Sequence, residues 1–116
     1  MRRSTACLLL AVLLSGSIAR AEDQPALGVA LVLRNHRFIP DSLTVPAGRR
    51  IVITLTNEDP ASEEFDSSDL RVEEDVTPRA RITFPIGPLR PGVYRFMGEA
   101  HPATALGQLT AVSAGR

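Results

Sequence analysis

Two short segments carry the residue types that could do chemistry: Glu63-Glu64-Phe65 and Met97-Gly98-Glu99-Ala100-His101. They offer carboxylates, one imidazole and one thioether, and no thiol. Brought together, Glu63, Glu99 and His101 would make an oxygen-rich donor set with one nitrogen. Such a set suits Fe(II), Fe(III), Mn(II) or Cu(II) better than Cu(I). Glu64 and Met97 stand beside them as secondary donors, although a methionine more often packs as filler. By residue type alone, adjacent glutamates form a solvated face and a single loop histidine sits at a surface, so the elements that position these side chains decide their meaning. Neighbouring strand residues face opposite sides, so Glu63 and Glu64 compete for one role. The same alternation turns Glu99 away from the side of Phe96 and Gly98, unless a loop beginning at Gly98 brings it back.

The elements begin after a leader. Arg2 and Arg3 precede an apolar run over 6–14, followed by small residues and Ala19-Arg20-Ala21. A charged start, a short apolar stretch and an A-x-A ending describe a secretory signal peptide over 1–21, with cleavage after Ala21. The apolar run is too short to span a bilayer. The single cysteine, Cys7, would leave with the leader. Residues 22–116 would then form one domain with no disulfide and no thiolate, held by its core alone. Removing Arg2, Arg3 and Arg20 from 13 cations leaves 10 against 13 acids, a net charge of about −3 by counting. No basic surface suggests nucleic acid.

Within 22–116 the apolar pattern has period two, and no helical stripe appears. Residues 27–33 read as a buried first strand. Residues 38–45 read as one strand bent at Pro40, and Pro46-Ala47-Gly48 as a turn. Ile51, Ile53 and Leu55 alternate in a strand ending at Asn57, and residues 81–86, 93–97 and 107–112 read as three more. The acidic run over 58–75, with Arg71 its sole cation, reads as a solvated loop whose field would concentrate cations. Short strands between Pro/Gly turns predict an all-β, antiparallel β-sandwich.

In this order the pieces resemble a cupredoxin. The resemblance rests on Phe38-x-Pro40-x-x-Leu43-Thr44-Val45-Pro46-Ala47-Gly48, on Ile51-x-Ile53-x-Leu55-x-Asn57-x-Asp59, and on Tyr94-x-Phe96-x-Gly98-x-x-His101, and covers about 31–112. It implies a Greek-key sandwich in a single domain. It also implies four metal-ligand positions at one end: Glu63 stands where a blue-copper protein has its first histidine, Gly98 at the cysteine, and Leu106 or its neighbour at the axial methionine. Only His101 is retained. Type 1 copper, and with it blue-copper electron transfer, is therefore not expected. In that frame His36 lies far from the site and reads as surface.

The nearest resemblance is to cupredoxin-like components of bacterial periplasmic ferrous-iron uptake systems, which share Glu-Glu-Phe and Gly-Glu-x-His. It implies a periplasmic protein binding copper or iron through Glu63, Glu99 and His101, assisting iron acquisition and supporting Fe(II) oxidation. Its partners would be the metal ion and an inner-membrane iron permease or a periplasmic metal-binding protein. The alternative is a metal-free sandwich that docks to a periplasmic or membrane partner.

Overall fold

The computed structural model describes residues 24–114, so the expected leader lies outside the described residues. Among the described residues nine strands follow one another: β1 (Leu27–Arg34), β2 (Arg37–Ile39), β3 (Ser42–Pro46), β4 (Ile51–Asn57), β5 (Glu63–Ser67), β6 (Val72–Val76), β7 (Arg81–Ile86), β8 (Gly92–Gly98) and β9 (Leu106–Val112). They make two sheets, one ordered β2-β1-β4-β7 and the other β3-β9-β8-β5-β6. The fold is the expected all-β two-sheet sandwich. Two of its pairings, β1 with β4 and β3 with β9, run parallel. Period-two alternation reports which face of a strand is buried and carries no information on the direction of its neighbour.

Alternation builds the core directly. Ile51, Ile53 and Leu55 of β4 are fully buried, as are Leu31 and Leu33 of β1 and Leu109 of β9. All four phenylalanines meet at the centre. Phe65 stacks on Phe96 with centroids 5.0 Å apart and packs 4.9 Å from Phe84, while Phe38 sets its edge 5.1 Å from Phe96. Offset and edge-on pairs of this kind add about 0.5–1.5 kcal/mol each beyond the area they bury. Phe96 also lies directly over Gly107, where a Cβ would meet its ring at 2.3 Å.

Two sequence readings need correction. The single bent strand expected over 38–45 is two strands in different sheets, because the chain crosses from β2 to β3 at Pro40-Asp41. The acidic run over 58–75 is not one solvated loop: it contains β5 and most of β6, paired as a hairpin. Glu63, Phe65 and Ser67 turn inward, while Glu64 and Asp66 turn out to face Asp75 and Glu73 across the pair. Like charges opposite one another weaken a ladder. On β6, an edge strand, the same charges discourage pairing with another chain.

Candidate functional site

The β4–β5 loop is folded by one buried side chain. Asn57 is fully buried, and its amide donates to the carbonyls of Ala61, Val76 and Thr77 at 2.8, 3.2 and 3.2 Å. Its oxygen accepts from Asp59 N at 2.9 Å, which turns the Asp59 carboxylate inward, where it is 5% exposed. That carboxylate accepts from Asn35 N at 2.7 Å and from His36 N at 2.9 Å. Burial works to raise the Asp59 carboxyl. The two backbone donors and the nearby imidazoles of His36 and His101 outweigh it and hold the group below the ordinary carboxylate range.

Asn35 and His36 form the two-residue turn between β1 and β2, with Arg34 opposite Arg37. Their φ values are +52° and +56°. This is the twist a two-residue hairpin requires, and Asn is favoured at its first position and Gly at its second. A histidine in the left-handed region costs about 1–2 kcal/mol. The Asp59 carboxylate stabilises the turn against that cost.

Glu63 opens β5 with its side chain 1% exposed. Its Oε1 accepts from Glu64 N at 2.9 Å and Ala100 N at 2.8 Å, and its Oε2 lies 2.7 Å from His101 Nδ1. With Nδ1 as the donor, every contact the carboxylate makes is a donated N–H. The loop bearing His101 is closed by Gly98 N to Ala105 O at 2.8 Å and Ala105 N to His101 O at 2.8 Å. Gly98 is required for this packing. A Cβ there would lie 2.6 Å from Glu63 Cδ and 2.7 Å from Ala105 Cβ. The Glu63 carboxylate thus fills the space into which a side chain at position 98 would grow.

The His101 ring stacks on His36, with centroids 3.6 Å apart and planes 14° from parallel. His36 Nδ1 is 3.6 Å from Asp59 Oδ2. The side chains of His36 and His101 are 42% and 30% exposed. Among the described residues neither Nε2 has a protein partner, and both are open to solvent. The expectation that His36 lies far from the site is therefore overturned. The Arg34-Asn35-His36-Arg37 tetrapeptide carried a signal for a tight hairpin, and nothing in it said which neighbour the turn would meet.

The remaining candidates lie elsewhere. Phe96 and Gly98 face the core, while Met97 is only half-buried and Glu99 is exposed. Glu99 N donates to Glu64 O at 3.0 Å, and their carboxyls share a hydrogen bond. That bond, partial desolvation and the charges of Glu99, Asp75 and Glu73 push the Glu64 carboxyl up to about 7. The structure thus joins Glu63 to His101 and Glu64 to Glu99, as two pairs rather than one cluster. Among the described residues no three His, Cys, Asp or Glu side chains group as a set able to hold a metal ion.

Type 1 copper does not fit these residues. The thiolate position is Gly98, the space beside it is taken by a carboxylate, and Leu106 is 50% exposed.

The profile of the cupredoxin-like domain family matches residues 5–111. An uncharacterized protein of Rickettsia prowazekii (strain Madrid E) is 37% identical over 81 residues, which cover 70% of this chain and 65% of that one, less than two-thirds of its length. Among solved structures, auracyanin from Roseiflexus castenholzii is similar with a TM-score of 0.65 at 17% identity, covering 77% of this chain and 99% of that one. Auracyanin A from Chloroflexus aurantiacus, a "blue" copper protein, gives 0.66 at 11% identity, covering 76% and 100%. A purple cupredoxin from Nitrosopumilus maritimus gives 0.57 at 19% identity, covering 72% and 99%. At these identities the structural likeness speaks to the fold alone, and it agrees with a profile match that takes in all nine strands but the last residue of β9: the chain belongs to the cupredoxin-like domain family.

Proposed function

We propose that this protein is an exported cupredoxin-like domain that binds an iron or copper ion at its His101 end and serves metal acquisition, with no thiolate centre for electron transfer. The observation that carries this reading is the 2.7 Å contact between Glu63 Oε2 and His101 Nδ1. A carboxylate behind an imidazole fixes the tautomer, raises the basicity of the far nitrogen and aims it outward, which is how proteins prepare a histidine for a metal. Here the far nitrogen, Nε2, is open to solvent. The pair Glu64–Glu99, with Asp75 and Glu73, adds a negative field on the outer face that favours approach of cations. A blue copper protein among its structural neighbours supplies a precedent for metal on this fold. An iron permease or a periplasmic metal-binding protein would be the acceptor.

Anaerobic calorimetric titration of residues 22–116 with Fe(II) and with Cu(II) tests the reading. Saturable binding is expected, weakened about tenfold or more in Glu63→Gln and abolished in His101→Ala. If wild type binds neither ion more tightly than His101→Ala does, the reading is wrong. A second reading, a metal-free docking module, is favoured by the complete satisfaction of the Glu63 carboxylate within the protein. It predicts partners that are retained by the wild-type protein in the presence of chelator.

A further inference from the structure

We infer that His36 is the second metal-binding residue, and that His36 and His101 form a two-imidazole site for a borderline divalent ion such as Cu(II) or Zn(II). This rests on the proposed metal-binding role of His101 and names the ligand set and the ion class.

Three independent features converge on His36. The first is conformational: it occupies the second position of a two-residue hairpin turn at φ +56°, where glycine is favoured, so its side chain is kept against a backbone preference. The second is its neighbour, because the ring lies 3.6 Å from that of His101 although 65 positions separate them in sequence. The third is symmetry of support. Each imidazole has a buried carboxylate on its Nδ1 side, Glu63 at 2.7 Å for His101 and Asp59 at 3.6 Å for His36. Among the described residues neither Nε2 has a protein partner, and both are open to solvent. Asp59 is itself held by Asn57 and holds the His36 backbone, so the position of the turn is set from the β4–β5 loop.

Stacked rings present parallel lone pairs, which cannot converge on one ion. The stack is the closed, metal-free arrangement. Binding opens it, the His36 ring swinging about its side-chain torsions while Glu63 keeps its bond to His101 Nδ1, until the two Nε2 atoms meet the ion, with water or a partner's group completing the shell. Neutral imidazole nitrogens select Cu(II), Zn(II) and Ni(II) over Mn(II) and Fe(III), a different preference from that of an all-carboxylate set. Asp59 and Glu63 act here as positioning residues behind the ligands.

The experiment is ring-nitrogen NMR of the 15N-labelled protein titrated with Zn(II) alone, with Cu(II) affinity measured in parallel. Nε2 of His36 and of His101 should both shift and saturate together. His36→Gly should bind Cu(II) about tenfold or more weakly while melting no lower than wild type, because glycine suits the turn, and Asp59→Asn should weaken binding about tenfold. If only the His101 nitrogen responds and His36→Gly binds as wild type does, the two-imidazole site is wrong while metal binding at His101 stands. If neither nitrogen responds and no ion binds, both readings fall together.

Discussion

A single methyl group added at position 98 should disrupt the site more than any surface change of that size. In Gly98→Ala the new Cβ would stand 2.6 Å from Glu63 Cδ and 2.7 Å from Ala105 Cβ, well inside contact distance. Both groups are buried, but Ala105 Cβ is fixed to the backbone while the Glu63 side chain has torsions to turn, so Glu63 is the group that must give. Moving its carboxylate strains or breaks three hydrogen bonds, to Glu64 N, Ala100 N and His101 Nδ1. Overpacking costs about 1–3 kcal/mol, and a lost hydrogen bond to a charged group costs about 1.5–3. Partial relaxation leaves an expected loss of about 3 kcal/mol, or about 12–24 °C in melting temperature for a domain of this size. Urea unfolding of Gly98→Ala, Glu63→Ala and the double variant measures it. The two changes should be strongly non-additive, with a coupling of about 1 kcal/mol or more, because removing the carboxylate clears one of the two clashes. A cost below about 0.5 kcal/mol, or strict additivity, would refute the idea that Glu63 fills the side-chain space of residue 98.

Two further outcomes follow from other parts of the site. Asn57→Ala should destabilise the fold by about 3 kcal/mol, since it abandons one buried and two part-buried carbonyls and the buried amide of Asp59, and loosened exchange protection should spread to the β1–β2 turn; equilibrium unfolding with hydrogen exchange reads both. The Glu64 carboxyl, raised from 4.5 to about 7 by Glu99 and its acidic neighbours, binds its proton more tightly in the folded state. Its contribution is therefore fully present below about 4.5 and is lost as pH rises through about 7. The urea midpoint of Glu64→Gln should fall less between pH 5 and pH 8 than that of wild type, and an equal fall in both proteins would contradict the shared proton.

How much of this was legible in the chain follows from what period two can encode. Ile51, Ile53 and Leu55 announced their strand and its buried face, while alternation left Glu63 and Glu64 competing and only the resemblance, which sets Glu63 at the first-histidine position, favoured the one that turns inward. Alternation also turned Glu99 outward. β5 and β6 were hidden because their outward positions are acidic, so the run reads as solvent-exposed although Phe65 and Val76 are buried. The break between β2 and β3 was masked because the apolar residues on both sides of Pro40, Phe38-Ile39 and Leu43-x-Val45, read as one strand bent at the proline. Parallel pairing left no mark, since direction is not written in side-chain pattern. His36 was missed for a stronger reason. Its place beside His101 is a product of three loops meeting, and the two contacts that decide it, Asp59 with the His36 backbone and the His36 ring with that of His101, join residues far apart in sequence.

A buried carboxylate has taken the place beside Gly98 and holds His101 by Nδ1, so that Nε2 faces outward. The most direct test is the tautomer of His101 in the metal-free protein, read from its ring 15N shifts at a pH where the ring is neutral. In wild type the proton is expected on Nδ1, and in Glu63→Ala that preference is lost. A proton on Nε2 in wild type, or a tautomer indifferent to Glu63, would contradict it.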